Sequence, residues 1–282
     1  MTSTSTQLEV IEDFGQDAGL GSGGLSIDEQ RLPFLLILHH TSPQCLKGSQ
    51  DFIPGAEAGM LFNSVTKEIY EAEERGVEFL SCWREKVFTA WVPRDSGGGF
   101  RGVYQPNDPV VQHALQENIR KKGTRLGRFG KIPFTDPTRG NEYQELTEQW
   151  NMGIVYAPDL TIESAERAIF SFSSTRIKSF TTWAQRADQI TYVVSSGQRQ
   201  KPPTWAQAWR LTTTMKADNR GSWYVPVINT AQESARLSAV TQLNPLYDLG
   251  REFYTLWSSN KVQVDYGAAQ EGETVTEDDL AF

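Results

Sequence analysis

The basic residues of this chain are confined to its middle, which limits the part of it that can fold around a core. All 27 Lys and Arg residues lie between residues 31 and 264, whereas residues 1–30 and 265–282 each carry six acids and no base. Both ends also contain few large apolar side chains, so burial there cannot offset the conformational entropy lost on folding. We therefore predict an acidic flexible segment at 1–30, a folded domain at 31–264 and a disordered acidic tail at 265–282.

This division changes the meaning of the net charge. The whole chain has a formal charge of −8, which by itself disfavours a nucleic-acid partner because phosphate contacts require Lys and Arg. Since each end contributes −6, the folded domain is mildly basic at +4. A basic body with two acidic ends is compatible with binding to DNA.

Length and composition indicate a folded, soluble protein. The 282 residues allow one large domain or two small ones, and a hydrophobic content of 38% supplies a core. The longest apolar run, from Phe34 to Leu38, is far shorter than the ~20 residues of a membrane span, and no charged-then-apolar leader is visible. Cys45 and Cys82 cannot form a disulfide framework, which favours a reducing compartment. We expect no membrane partner.

The order of apolar and turn residues predicts an α+β protein that is mainly β. Residues 31–104 are predicted to form strands, including a hairpin whose arms are 77–82 and 87–92 and whose turn is 84–86. Further strands are predicted near residues 154, 190, 209 and 223. Capping residues, helical spacing of apolar side chains and terminating glycines predict helices at about 63–75, 109–122, 161–187 and 245–257.

The sequence lacks the common signatures of catalytic sites. No phosphate-binding loop with Gly-Lys-Ser or Gly-Lys-Thr is present, and Gly97–Gly99 lacks the strand-turn-helix setting of a dinucleotide site. His39 and His40 would point apart on a strand, and the cysteines are not in a CxxC pair, so we predict no metal site. No GxSxG motif supports a serine nucleophile. We therefore expect no enzyme activity and no cofactor.

Basic and aromatic residues are interleaved in the middle of the chain. The most basic stretch, residues 120–139, holds seven Lys or Arg residues and one acid. Single-stranded nucleic acid is held by bases stacked on aromatic rings, each worth ~1–3 kcal/mol, and by cations along the phosphates. More than half of the rings are expected in the core, and the others are candidates for stacking. The predicted DNA-binding residues are Trp83, Arg84, Lys86, Phe88, Trp91, Arg94, Phe100, Arg101, Tyr104, Arg120, Lys121, Lys122, Arg125, Arg128, Phe129, Lys131, Trp209 and Arg210.

The last residues of the chain form the most specific motif. They are Glu277-Asp278-Asp279-Leu280-Ala281-Phe282, a cluster of acids closed by an apolar residue and a C-terminal Phe. This ending resembles the tail of bacterial and bacteriophage single-stranded DNA-binding proteins. The stretch that includes Phe14–Gly19, Leu32–Phe34, Trp91–Arg94 and Gly97–Phe100 also resembles phage replication-region proteins of this kind.

The resemblance implies an OB-fold-like antiparallel barrel, here elaborated with helices and long loops. It also implies sequence-independent binding of single-stranded DNA during phage replication or recombination, in the cytoplasm of the infected bacterial host. The terminal Phe and its carboxylate can enter a basic-rimmed apolar pocket on a partner, while the preceding acids steer the encounter. The predicted contacts to a replication or recombination protein are Asp278, Asp279, Leu280 and Phe282.

Two alternatives to DNA binding stay open, as does the oligomeric state. One is a phage structural or host-interaction protein whose acidic tail binds a basic partner while its body never meets DNA. The other is a metal-dependent nuclease whose acids are scattered through the body. A gel shift with a single-stranded oligomer distinguishes the first alternative, and metal-dependent loss of the oligomer would reveal the second.

Overall fold

The described part of the chain is mainly β with three helices, which confirms the predicted class. The computed structural model describes residues 31–93, 96–122, 131–136, 139–219, 221–230, 240–259, 263–264 and 266. The helices are α1 (Pro109–Lys122), α2 (Ile177–Asp188) and α3 (Pro245–Ser258). The strands are β1 (Arg31–Leu32), β2 (Leu35–Ile37), β3 (Leu61–Asn63), β4 (Ile69–Tyr70), β5 (Val77–Trp91), β6 (Phe100–Tyr104), β7 (Lys131–Asp136), β8 (Glu142–Ala157), β9 (Glu166–Ser173), β10 (Tyr192–Val193), β11 (Arg199–Gln200), β12 (Ala208–Asp218), β13 (Gly221–Thr230) and β14 (Gln263–Val264).

Two long antiparallel strands, β5 and β8, run through the whole main sheet. They contain 15 and 16 residues and stay paired from Glu78 opposite Ala157 to Trp91 opposite Glu145. At one end they are flanked by β12, β13 and β9, and at the other by β6 and β7. The predicted hairpin turn at residues 84–86 is wrong, because β5 continues through these residues from one half of the sheet into the other.

The helices cover different patches of this sheet. Phe79 and Leu80 are neighbours in β5 and point to opposite faces. Phe79 packs in a cluster with Phe180 of α2, whereas Leu80 packs in a cluster with Phe253 of α3. In the other half of the sheet, α1 covers the apolar patch that contains Phe88. The sheet therefore has a core on each face in one half and a third core under α1.

A second sheet, β2–β3–β4, joins the main sheet through sparse contacts on both sides. The Ile169 N–H donates to the Pro33 carbonyl at 2.8 Å, beside an isolated bridge at Phe34. On the other side the Thr213 N–H donates to the Ala72 carbonyl at 2.8 Å. These contacts fall short of continuous strand pairing, so the sheets do not form the closed barrel that an OB-fold contains.

The helices predicted over 109–122 and 245–257 are confirmed by α1 and α3, but the helix predicted over 63–75 is wrong. The Asn63 side-chain oxygen accepts hydrogen bonds from the N–H groups of Val65 and Thr66, at 2.9 and 3.1 Å. These bonds form a turn between β3 and β4 instead, because an Asn side chain can close a turn as readily as it starts a helix.

The helix predicted over 161–187 is wrong in its first half. Residues Glu166–Ser173 form β9, and α2 begins only at Ile177. In β9 the consecutive residues Ala168, Ile169 and Phe170 are all buried. Strands that are buried on both faces have continuous apolar sequences, which periodicity alone does not distinguish from a helix. The predicted strands near 154, 209 and 223 are confirmed by β8, β12 and β13, and the one near 190 is the two-residue β10.

Gly153 should be indispensable to the packing of the main sheet. A Cβ at this position would overlap the indole of Trp83, which is only 4% exposed and stacks on Trp257 with 3.6 Å between ring centroids. We expect Gly153→Ala to lower the free energy of unfolding by ~1–3 kcal/mol in urea denaturation, because the ring must move. The control is Gly48→Ala, where no atom lies within 4 Å of the added Cβ. Equal effects of the two substitutions would contradict this explanation.

We expect Glu166 to make folding stability depend on pH. Its carboxylate accepts hydrogen bonds from Asn63 Nδ2 at 2.8 Å and from the Tyr156 hydroxyl at 3.0 Å. Burial, together with the charge of Glu68, raises the pKa of Glu166 despite the hydrogen bond from Tyr156. A raised pKa means that the folded state binds this proton more tightly, so the stabilisation is full below the unfolded pKa and is lost as pH rises through the folded pKa.

The substitution Glu166→Gln should remove this loss. The measured quantity is the free energy of unfolding of the variant minus that of the natural chain. We expect this difference to increase between pH 4 and pH 7 in urea titrations. The control is Glu163→Gln, which removes an exposed carboxylate three residues earlier. An equal pH dependence of the two variants would contradict the assignment.

Candidate nucleic-acid interface

Three of the predicted stacking residues lie in the protein core. Trp83, Phe88 and Trp209 are 4%, 2% and 2% exposed. Trp83 stacks on Trp257, and Trp209 meets the ring of Trp183 edge-on with 5.7 Å between centroids. None of the three rings has a free face for a nucleic-acid base, so these residues do not belong to the interface. The Lys and Arg residues next to these rings in the sequence were a misleading signal, because alternate residues of a strand point to opposite faces.

Arg84 and Lys86 lie where the two halves of the main sheet meet. They are two residues apart in β5 and therefore project from the same face. The guanidinium carbon of Arg84 is 5.9 Å from the ring centroid of Trp183 in α2. The Lys86 ammonium is 5.5 Å from the ring centroid of Phe88, which belongs to the core under α1. The two cations thus lie between the patches that α2 and α1 cover.

Trp150 completes this strip, which we call the saddle and define as Arg84, Lys86, Glu148 and Trp150. Trp150 is opposite Lys86 in β8, with 6.0 Å between the ammonium and the ring centroid. It is half-buried and stacks on Phe180 with 4.7 Å between centroids. Trp150 is not among the residues predicted from the sequence, because its neighbours in the chain are uncharged and only the strand register brings Lys86 beside it.

Five of the predicted DNA-binding Lys and Arg residues have side chains that the structure describes. All five form ion pairs with acids. The pairs are Arg84–Asp188, Lys86–Glu148 at 2.7 Å, Arg101–Glu142 at 2.9 Å, Lys131–Glu145 at 3.2 Å and Arg210–Glu78 at 2.9 Å. Hydrogen bonds from Arg101 hold the pKa of Glu142 below its ordinary value. Ion pairs near a protein surface contribute only ~0–1 kcal/mol each. A phosphate could therefore replace these carboxylates, but the cations are not a bare basic surface.

The rest of the predicted basic stretch is only partly described. Residues 120–122 form the last part of α1, but their side chains, Arg120, Lys121 and Lys122, lie outside the description, as do Arg94, Arg125, Arg128 and Phe129. The stretch rejoins the sheet at Lys131, which pairs with Thr147. Thr147 is next to Glu148, the partner of Lys86. Because successive residues of a strand point to opposite faces, Lys131 projects from the face opposite the saddle.

The half-buried rings of Trp91 and Phe100 belong to a second cluster, on the face opposite Phe88. We call it the aromatic row and define it as Trp91, Phe100, Tyr266 and Phe34. Successive ring centroids are 4.8, 6.3 and 5.9 Å apart. Tyr104, the remaining predicted ring, packs instead against the core under α1.

The aromatic row lies where both ends of the folded domain meet. Strand β1 pairs in parallel with β14, with Arg31 opposite Gln263. Tyr266, which the sequence analysis assigned to the acidic tail, packs in the row, and its hydroxyl accepts a hydrogen bond from Asn151 at 3.0 Å. The acidic segments therefore join the fold side by side. Residues 1–30 lie outside the described residues, as do Asp278, Asp279, Leu280 and Phe282.

The fold and these surfaces define a mainly β, antiparallel protein with a charged aromatic strip between helix-covered cores. The chain belongs to the Pam3 phage gp34-like protein family, whose model matches residues 3–263. The expected bacteriophage origin is thereby supported. Comparisons with curated proteins and with solved structures gave no match. None of the described helices is long and apolar enough to cross a membrane.

Proposed function

We propose that this protein binds single-stranded DNA without sequence preference and that the saddle is part of the contact surface. The observation that carries the proposal is the placement of Arg84 and Lys86 beside the half-buried Trp150, on the strip between the patches that α2 and α1 cover. Cations that follow the phosphates beside aromatic side chains are the usual means of holding a single strand.

The proposed binding mode is that of an OB-like surface, in which a nucleic-acid strand crosses the face of an antiparallel sheet. Lys86 and Arg84 contact successive phosphates, and a base packs against the accessible edge of Trp150. Cations near a ring also attract it directly, by ~0.5–1 kcal/mol at exposed sites. Trp91 and Phe100 lie on the opposite face of the sheet and form a separate stacking surface for a longer strand.

Removing the two cations of the saddle should reduce the number of phosphate contacts. We expect the affinity for oligo-dT, measured by quenching of Trp fluorescence, to fall steeply with salt in the natural chain. In the double variant Arg84→Gln, Lys86→Gln the slope of log affinity against log salt should decrease by about 1.4, since each single-strand phosphate contact contributes about 0.7. The matched control is Arg75→Gln, an exposed arginine whose ion pair with Asp159 lies outside the saddle. A flat salt dependence of the natural chain, or no preference over duplex DNA, would overturn the proposal.

We propose further that the acidic tail recruits a replication or recombination protein and competes weakly with DNA for the basic body. Deleting residues 278–282 should therefore leave the affinity for oligo-dT unchanged or raise it, because the side-chain carboxylates of Asp278 and Asp279 are lost. Phe282→Ala keeps the acids and should leave the affinity unchanged. A truncated chain that binds DNA more weakly than the natural one would contradict this role.

The ion pairing of all five described basic residues among the predicted DNA contacts favours a second candidate, a phage host-interaction or structural protein. In that case the acidic segments, which join the fold side by side, bind a basic protein and the body has no DNA site. A gel shift with a single-stranded oligomer separates the two candidates. The same assay with added Mg²⁺ tests the nuclease alternative through loss of the oligomer.

A further inference from the structure

Asp188 connects two cations that come from different parts of the fold. It is the last residue of α2, and its Oδ1 accepts a hydrogen bond from Arg84 Nη2 and another from Lys201 Nζ, the latter at 3.0 Å. Lys201 directly follows β11, whereas Arg84 belongs to β5. Burial opposes ionisation of Asp188, but hydrogen bonds from Lys201 and Arg84 outweigh it and hold its pKa below the ordinary value.

The two cations of this cluster hold one oxygen atom without help from the helix. Asp188 lies at the C-terminal end of α2, where the helix dipole disfavours a negative charge. Arg84 is held beside Trp183 and its side chain is 22% exposed, whereas the side chains of Asp188 and Lys201 are 45% and 59% exposed. Arg84, a cation of the saddle, is therefore held in place, whereas the exposed side chains of Asp188 and Lys201 can move.

We propose that Arg84 and Lys201 form a binding site for a phosphodiester oxygen of single-stranded DNA, which the carboxylate of Asp188 occupies until DNA displaces it. A non-bridging phosphodiester oxygen has the same acceptor character as the carboxylate oxygen and pairs well with guanidinium and ammonium groups. The inference rests on the proposed function and adds Lys201 to the interface. It makes Asp188 a residue that competes with the ligand.

This exchange favours a polymer over free phosphate. The Asp188 carboxylate is attached to the site, and attached groups act at effective concentrations in the millimolar range or above. Dissolved phosphate at lower concentration cannot displace it. A strand already in contact with Lys86 and Trp150 presents its next phosphate at a similarly high local concentration, so it can compete. The site therefore responds to the length of a bound strand.

The experiment compares Asp188→Asn with the natural chain in titrations with oligo-dT. Loss of the competing carboxylate should raise the affinity about fivefold to tenfold at low salt. Lys201→Gln should lower the affinity by a factor of about three to five, and in that background Asp188→Asn should have a smaller effect. The control is Asp159→Asn, which removes the exposed carboxylate that pairs with Arg75 and should change nothing. Thermal unfolding of each variant verifies that it is folded, and Lys201→Gln tests the site even if Asp188→Asn does not fold.

The outcomes distinguish this inference from the proposed function. If the natural chain binds oligo-dT and Asp188→Asn binds equally or more weakly, the exchange site is wrong and DNA binding by the saddle stands. If Lys201→Gln has no effect, Lys201 is not part of the site. If the natural chain and every variant fail to bind oligo-dT, the proposed function and the exchange site are both wrong.

Discussion

The antiparallel pairing of β5 with β8 is the interaction on which the rest of the structure depends. Because the two strands remain paired from Glu78 opposite Ala157 to Trp91 opposite Glu145, each belongs to both halves of the main sheet. The register shifts between Ser81 and Trp83, and such a bulge increases the local twist of a strand pair. Opposite the bulge, Gly153 leaves room for the indole of Trp83. The twist and the space together let α2 and α1 cover successive patches, and the saddle is the strip between them.

Two edge strands of the main sheet contain prolines. In the described sheet the outermost strands of the long path are β13 and β7, and they contain Pro226 and Pro133. Proline has no N–H to offer to an added strand, so it is tolerated at an edge and hinders pairing with another chain. The faces of the sheet are therefore better suited than these edges to bind a ligand.

The sequence predicted local features well and pairings poorly. The helices α1 and α3 follow from a capping residue, apolar spacing and a proline at the start, all of which lie within one segment. The continuity of β5 through Arg84 and Lys86 depends on partners in β8 and α2, which no local pattern reveals. The same is true of the saddle, since Trp150 and Asp188 come from segments more than 60 residues further along the chain. Conversely, Trp83 and Trp209 have basic neighbours in sequence but face the core.

The net positive charge of the chain lies in its body and the net negative charge at its two ends. Ion pairs within the body determine how many of its Lys and Arg residues are available to a ligand. The body is +4, yet Arg84, Lys86 and Lys201 each already have a carboxylate partner. Binding of a phosphate at such a site is an exchange of anions, so its free energy is a difference between two similar interactions. Selectivity then depends on how many exchanges one ligand makes at once. A chain of phosphodiesters makes several and gains from each bond that it already has, whereas a single small anion makes one.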